Sequence, residues 1–287
     1  YHVPRIAFIN KMDREGADFF STLDEIEKRL GANPLPVNIP WGSGPPHFRD
    51  PFRGIIDLVD MKLRCFPAES ADKDIVVQEI PADAMDDAQM WRSHLLDHLS
   101  LYNDELTELL LAEEPIPTDL IHRVLRDATL HSIVVPVLCG SALDKIGIQP
   151  LLDGVRQYLP SPLDMPPVEG VEVAAKPPHE PKKLLRKPDP KEPFAGLLFK
   201  IVADKHGDLH YVRVYSGTLK ANSRVLNAGK DKKENVPQLW RLLADRREQI
   251  TEALPGDIVG VIGLRHSITG DTLCDPKHTI LLETICF

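Results

Sequence analysis

The sequence lacks the features of several common protein classes. Only 4 of its 287 residues are cysteines, they are widely spaced, and no C-x-x-C pair occurs; they are Cys65, Cys139, Cys274 and Cys286. This excludes a disulfide framework and a zinc-ribbon site, and it is typical of buried thiols in a reducing cytoplasm. No apolar run approaches the roughly 20 residues that cross a bilayer, and no signal-peptide pattern is present. We therefore expect a cytoplasmic protein whose residues form no metal site.

A phosphate-binding loop is also missing. No G-x-x-x-x-G-K-[ST] pattern occurs, so nothing in this chain can wrap nucleotide phosphates or present a hydroxyl group to Mg²⁺. Among the occurrences of the pattern D-x-x-G, residues 13–16 lie inside another motif and residues 204–207 lie between apolar runs; we interpret neither as a metal site. The chain begins at Tyr1 rather than Met, and we expect it to be an internal fragment that contains no catalytic residue.

The most informative residues present are Asn10, Lys11 and Asp13, which follow the apolar run at residues 6–9 in the pattern N-K-x-D. An aspartate carboxylate accepts two parallel hydrogen bonds from the N1–H and N2–H₂ groups of guanine, whereas adenine offers no such edge. Lys11 can lay its aliphatic stem along the base while its ammonium group stays hydrated. Asn10 can brace the loop. The simpler alternative is that four polar residues merely end a strand.

A second apolar run, at residues 133–138, ends in a loop of small residues that contains Ser141, Ala142 and Leu143. Both runs have the composition of parallel strands buried on both faces, and ligands of such sheets bind beyond the carboxyl ends of the strands. Small side chains let backbone N–H groups approach a carbonyl such as guanine O6. We therefore expect the two loops to meet around one base, with the Ala142 N–H as the donor to O6.

These segments resemble a known family. Residues 3–14 resemble the fourth guanine-nucleotide motif of the elongation factor G family of translational GTPases, and residues 140–149 resemble its fifth motif. Residues 212–219 and 269–275 resemble its second domain. Two departures stand out, since Leu143 replaces the usual phenylalanine and residues 243–245 read Leu-Ala-Asp in place of His-Ala-Asn. The resemblance nevertheless extends over all 287 residues.

The resemblance implies a fold, a cofactor and partners. The expected fold class is α/β, a partial P-loop GTPase domain with an inserted α+β subdomain, followed by an all-β translation-factor barrel. The cofactor would be GTP or GDP, with Mg²⁺ held by residues of the intact parent that are not in this chain. The parent would hydrolyse GTP on the ribosome to move tRNA and mRNA, as a monomer. Two alternatives remain: a related termination, recycling or tetracycline-protection factor, or a ribosome-docking module without hydrolysis.

The acidic character of the chain is concentrated in one region. The formal net charge is −9, and residues 60–120 alone contain 15 acidic and 4 basic residues. A nucleic-acid contact is not expected there, because phosphate would be repelled. The region is either a solvated acidic surface or, by the resemblance, an inserted subdomain at about residues 52–130 that faces a stalk protein of the large ribosomal subunit. Helical spacing predicts one helix that ends at Gly31, another at about 83–100, and a third with Thr118 as its N-cap.

Proline and glycine divide the remainder. Residues 161–193 are proline-rich, and we predict a semi-rigid linker that joins neither a helix nor a central strand. From residue 194 the pattern changes to alternation with glycine turns, which predicts a closed antiparallel barrel at 194–279; residues 280–287 would begin a further domain. By the resemblance this barrel contacts RNA of the small ribosomal subunit. The candidate phosphate ligands are Arg213, Arg241, Arg246, Arg247 and Arg265, and the simpler interpretation of each is an ordinary surface arginine.

Overall fold

The computed structural model describes residues 3–67, 75–173, 182–203, 207–244 and 246–282. The chain forms two compact units, Tyr1–Pro160 and Ser161–Phe287. Within the described ranges, no helix is both long enough and apolar enough to cross a membrane.

The first unit contains a three-stranded parallel sheet in the order β1-β7-β2, made of β1 (Ala7–Ile9), β2 (Pro34–Pro36) and β7 (Val135–Cys139). In the register of β1 and β7, Ile9 lies opposite Cys139. Both strands therefore end at the same edge of the sheet, as the apolar runs predicted. All five residues of β7 are buried, which explains why its sequence shows no alternation.

A second sheet of the first unit is antiparallel. It has the order β3-β4-β5-β6, with β3 (Asn38–Trp41), β4 (Gly54–Asp57), β5 (Lys62–Cys65) and β6 (Val76–Gln78). Only β4 to β6 fall within the range expected for the insert, since β3 lies before residue 52. A single cluster of buried apolar side chains extends over both sheets and the helices, so the acidic region shares its core with the parallel sheet.

The helices of the first unit are α1 (Phe19–Leu30), α2 (Ala82–Ser100), α3 (Asp104–Leu111), α4 (Thr118–Leu130) and α5 (Ile148–Tyr158). Helix α1 ends as predicted, with Gly31 in the left-handed conformation at φ 57°. The prediction for Thr118 was wrong. Thr118 is the first helical residue, and the N-cap position is taken by Pro117, which offers no side-chain hydrogen bond. Proline is favourable there because it holds the extended backbone that enters the helix.

The second unit is built on an eight-stranded antiparallel sheet in the order β14-β13-β19-β10-β11-β18-β15-β16. Register shifts between β10 and β11 interrupt the ladder, as bulges do where a sheet bends, and the curled sheet is consistent with the predicted barrel. The strands are β10 (Ala195–Val202), β11 (Leu209–Ser216), β13 (Ser223–Asn227), β14 (Lys232–Val236), β15 (Gln238–Leu243), β16 (Arg246–Ile250), β18 (Ile258–Ile262) and β19 (Thr272–Cys274). A short pair, β12 (Leu219–Lys220) with β17 (Glu252–Ala253), accompanies them.

The proline-rich segment is more ordered than predicted. It contains a 3-10 turn at Pro162–Asp164 and two strands, β8 (Val168–Val171) and β9 (Lys183–Arg186). Strand β8 lies at the centre of a three-stranded sheet between β9 and β20 (Leu281–Leu282). The prediction that this segment joins no central strand was therefore wrong, because no proline falls inside β8 or β9 and their backbone donors are intact. Strand β20 belongs to the residues that we expected to begin a further domain.

Candidate nucleotide-binding site

The two loops singled out by sequence lie side by side at the carboxyl edge of the parallel sheet. Gly140 N–H donates to Ile9 C=O at 3.0 Å, and Met12 N–H donates to Gly140 C=O at 3.1 Å. These bonds continue the β1–β7 pairing past the strand ends. The segment that starts at Asn10 and the segment that starts at Gly140 are therefore held in register over the site.

Asn10 connects the loops through its side chain. Its Oδ1 accepts the N–H of Lys11 at 2.8 Å and the N–H of Ala142 at 2.9 Å. The second bond spans 132 positions of sequence. The Ala142 N–H, which we expected to meet guanine O6, thus has a side-chain acceptor in this structure. The N–H of Leu143 is next along the same loop, and the Leu143 side chain is exposed.

Asp13 and Lys11 differ in their exposure to solvent. The Asp13 side chain is 14% exposed, and its Oδ2 lies 3.6 Å from Nε of the exposed Arg14. Lys11 is exposed and adopts φ 67°, a left-handed conformation that sharply turns the chain after β1. The carboxylate is partly covered yet keeps oxygen lone pairs available to a ligand edge, while the lysine stem is free to lie over a planar group.

Ser141 has a structural position in the second loop. It is fully buried, and it exchanges backbone hydrogen bonds with Ile146 at 3.0 and 2.9 Å. Its hydroxyl group accepts the N–H of Asp144 at 3.2 Å. These bonds close residues 141–146 into a tight turn whose tip carries Ala142 and Leu143.

Two glycines make this turn possible. A Cβ at Gly140 would lie 2.2 Å from the Ile146 carbonyl oxygen and 2.7 Å from the Phe8 ring. Gly147 has φ +80°, and a Cβ there would lie 2.4 Å from the Cys139 carbonyl oxygen. Any larger residue at Gly140 would displace the loop from the first strand.

Three supporting residues were not found from sequence. Asn38 is 2% exposed, and its Oδ1 accepts the Cys139 N–H at 2.9 Å, just before the second loop. Ser43 and Gly44, in the connection between β3 and β4, bond to the first loop from behind. The run Gly-Ser-Gly at 42–44 was the available signal, since it directly follows a strand. Nothing local in the sequence indicates that this run contacts residues about 30 positions earlier.

Among the described residues, no group of three or more His, Cys, Asp or Glu side chains is arranged to hold a metal ion. Cys139 and Cys274 are buried free thiols and Cys65 is half-buried, while Cys286 lies outside the described residues. Burial raises the pKa of both Cys139 and Cys274 above the usual thiol range, so neither is a reactive thiolate.

The candidate RNA-binding arginines of the second unit are distributed over several strands. The Arg213 guanidinium lies 5.3 Å from the centre of the Tyr215 ring, and Arg241 pairs with Glu248 at 3.5 Å. Arg246 and Arg247 are exposed on β16, and the Arg265 backbone N–H donates to Glu234. Four of them lie in one part of the eight-stranded sheet, Arg213 on β11, Arg241 on β15, and Arg246 and Arg247 on β16, while Arg265 follows β18.

Comparison with known proteins agrees with this geometry. Residues 1–161 match the family model of the elongation factor Tu GTP binding domain, and residues 193–276 match that of elongation factor G domain 2. Over its whole length the chain is 45% identical to elongation factor G 2 of Desulfotalea psychrophila and 43% identical to elongation factor G of Wolbachia pipientis subsp. Culex pipiens. It spans 40% of the length of each of these relatives.

A solved crystal structure of a protein from Thermus thermophilus has the same fold. The two superpose with a TM-score of 0.73 at 20% identity, over 97% of this chain and 37% of the other. The family model of the GTP binding domain covers more than half of the chain, and it includes both loops of the site. The chain therefore belongs to the family of the elongation factor Tu GTP binding domain, and the domain 2 that follows identifies it as elongation factor G-like.

Proposed function

We propose that the two loops bind the base of GTP and GDP, with Asp13 as the residue that selects guanine. The observation that carries this proposal is the Asn10 side chain, whose Oδ1 accepts N–H groups from both loops at 2.8 and 2.9 Å. This bridge holds the Asp13 loop and the Ala142 loop at a fixed separation. A fixed separation is what simultaneous contact with two edges of one base requires.

The remaining base contacts follow from the positions of the loop residues. Lys11 is exposed and would cover one face of the base with its stem. Guanine O6 would accept from a backbone N–H of the second loop. Because the Ala142 N–H donates to Asn10, O6 would either share that donor or take the Leu143 N–H.

The phosphates and Mg²⁺ would be held elsewhere. The chain contains no P-loop, and phosphate contacts dominate the affinity for a charged nucleotide. We therefore expect the chain alone to bind nucleotide weakly and to hydrolyse none. Hydrolysis belongs to a longer protein in which residues outside this chain contact the phosphates and the metal.

For that longer protein we propose a ribosome-dependent GTPase that couples GTP hydrolysis to translocation of tRNA and mRNA in the cytoplasm, acting as a monomer. The identity to elongation factor G over the whole chain supports this choice over a release, recycling or tetracycline-protection factor. The acidic region between β4 and α4 would face a protein of the large-subunit stalk. The barrel would contact RNA of the small subunit through some of its exposed arginines.

The test is an Asp13→Asn variant of the full-length natural protein. An amide at this position can donate to the C2 carbonyl of xanthine but cannot accept both guanine donors. We expect GTP affinity to fall by about 100-fold or more, since a charged hydrogen-bonding partner is lost, and xanthosine triphosphate to become the preferred ligand. Equilibrium binding of GTP and of xanthosine triphosphate measures this change of preferred ligand.

Asp24→Asn is the matched control, because Asp24 is an exposed carboxylate of α1 that pairs with Lys28 along the helix. It should leave both affinities unchanged. If Asp13→Asn kept the wild-type preference for GTP, the assignment of Asp13 would be wrong, and with it the proposed base site.

A further inference from the structure

The residue between Lys11 and Asp13 is buried and is bonded through its backbone on both sides. Met12 is 1% exposed and packs in the core of the first unit. Its N–H donates to Gly140 C=O at 3.1 Å, and its own C=O accepts the Gly44 N–H at 2.8 Å. The peptide groups on both sides of Met12 are thus fixed by different segments, one beside the loop and one behind it.

The segment that contains Ser43 and Gly44 is closed by hydrogen bonds of its own. Ser43 N–H donates to Asp50 C=O at 3.0 Å, and Phe52 N–H donates to Gly44 C=O at 3.1 Å. Gly44 is buried with φ +89°, and a Cβ there would lie 2.8 Å from the Phe48 ring. These contacts fix residues 43–52 as a compact loop that presents one hydroxyl group and one N–H toward the nucleotide loop.

The two bonds from this segment lie on either side of Asp13. Gly44 N–H binds the carbonyl of Met12, one residue before Asp13, and Ser43 Oγ donates to the carbonyl of Ala17 at 2.6 Å, four residues after it. We propose that Ser43 and Gly44 are positioning residues that determine guanine specificity by fixing the orientation of the Asp13 carboxylate. This inference rests on the proposed base-binding role of Asp13.

The orientation of the carboxylate matters because its contact with guanine consists of two hydrogen bonds. A carboxylate that meets N1–H and N2–H₂ together must lie in the plane of the base with both oxygens directed at it. A loop that rotates slightly can keep one hydrogen bond and lose the other. Inosine diphosphate carries N1–H but no 2-amino group. The affinity ratio of GDP to inosine diphosphate therefore measures the hydrogen bond from the 2-amino group alone.

The experiment compares the binding of GDP and inosine diphosphate to the full-length natural protein and to its Ser43→Ala variant. We expect the wild type to bind GDP about ten-fold or more tightly than inosine diphosphate, which is the effect of one hydrogen bond to a charged group. In Ser43→Ala, GDP affinity should fall several-fold while inosine diphosphate affinity changes little. The ratio should therefore fall toward one.

The matched control is Ser100→Ala, which removes a hydroxyl-to-carbonyl bond of 2.8 Å to Asp97 within α2 and leaves the loops untouched. It should preserve the wild-type ratio. If Ser43→Ala lowered both affinities equally, or neither, Ser43 would be a purely structural residue and the inference would be overturned. A wild type without any preference for GDP would instead overturn the proposed function itself.

Gly44→Ala gives a second, independent test. Its positive φ and its contact with the Phe48 ring should shift the Gly44–Met12 bond. The GDP to inosine diphosphate ratio should fall as in Ser43→Ala, and this variant decides the question if Ser43→Ala does not fold. A folded Gly44→Ala protein with the wild-type ratio contradicts the inference. Failure of both variants to fold also contradicts it, because the segment would then be required for folding only.

Discussion

Two carboxylates, Asp13 in the first unit and Glu234 in the second, differ in how completely their oxygens are used. In the second unit, Glu234 is 2% exposed and accepts hydrogen bonds from the N–H groups of Arg265 and His266 and from the Ser267 hydroxyl. In the first unit, the ion pair of Asp13 is a long one, at 3.6 Å from a neighbouring exposed side chain. A carboxylate whose acceptors are filled by its own chain supports the fold, whereas one that faces a loop edge can receive a ligand.

A second carboxylate of the barrel repeats the pattern of Glu234. Asp271 Oδ2 accepts from Asn227, from the Lys230 ammonium and from the Ile268 N–H, each at 2.8 Å. Burial alone would raise the pKa of Asp271, but these hydrogen bonds and the Lys230 charge outweigh it and lower the pKa. Burial and hydrogen bonding oppose each other in the same way at Glu234, with the same net direction. Both carboxylates are therefore held ionised by their hydrogen-bond donors.

The largest effect expected from this comparison is on the stability of the barrel. Glu234→Ala would leave two backbone N–H groups and the buried Ser267 hydroxyl group without their acceptor. We expect a loss of about 3 kcal/mol in the free energy of unfolding, measured by denaturant titration. Glu252→Ala, at an exposed position of β17, is the control and should cost under about 0.5 kcal/mol. If the two variants lost equal unfolding free energy, the hydrogen bonds that Glu234 accepts would not stabilise the fold as proposed.

An intermediate effect is expected where the two loops of the candidate site meet. Gly140→Ala would force a Cβ to within 2.2 Å of the Ile146 carbonyl oxygen, so the second loop must move away from Phe8. We expect a loss of about 1–3 kcal/mol in unfolding free energy, together with weaker GDP binding.

Gly154→Ala is the control for that variant. It lies in α5, where a Cβ would meet its nearest neighbour at an ordinary 3.5 Å, and alanine favours the helix. Its stability should be unchanged or slightly increased. A Gly140→Ala protein as stable as the Gly154→Ala protein would show that the two loops are not tightly fitted.

The smallest effect concerns pH. In the first unit, burial lowers the pKa of His94 below its usual 6.5, with a further contribution from the neighbouring His98 that outweighs the opposite effect of Asp97. The folded form therefore binds fewer protons than the unfolded chain, and stability present above pH 6.5 is lost as the pH falls toward the folded pKa. Glu234 and Asp271 have pKa values lowered from 4.5 and 3.8, so their contributions are lost only in more acidic solution.

In a Trp240→Phe variant, tryptophan fluorescence reports on the first unit alone, because the remaining tryptophans, Trp41 and Trp91, both lie there. Unfolding followed by their fluorescence should show lower stability at about pH 5.5 than at about pH 7. Adding His94→Gln should reduce that difference. A pH dependence that His94→Gln does not alter would assign it to other groups.

Sequence was sufficient for the strands that carry the site. Buried parallel strands have a recognisable composition, and their carboxyl ends must share an edge, so the meeting of the Asn10 and Ala142 loops followed from two short patterns. The antiparallel strands of the second unit were likewise accessible from alternation and glycine spacing. These features depend on local residue preferences, which can be recognised in a single sequence.

Sequence was insufficient where a contact depends on distant segments. Asn38 bonds to Cys139, just before the second loop, across 101 positions, and Ser43 bonds to the first loop across 26. The sheet of β8, β9 and β20 was hidden for the same reason, since β20 lies far along the chain from the strand that it pairs with. The N-cap prediction for Thr118 was wrong for a different reason. Threonine suits an N-cap, but the neighbouring Pro117 takes that position.

The anchoring of Met12 has a consequence for how such motifs are searched and redesigned. The pattern N-K-x-D leaves this position undefined, yet the side chain is 1% exposed and the peptide groups on both sides bind other segments. Its permitted substitutions are set by the volume of the surrounding core rather than by the ligand. A library varied at position 12 should retain only apolar residues of similar size, so the undefined letter of the motif carries information about the fold.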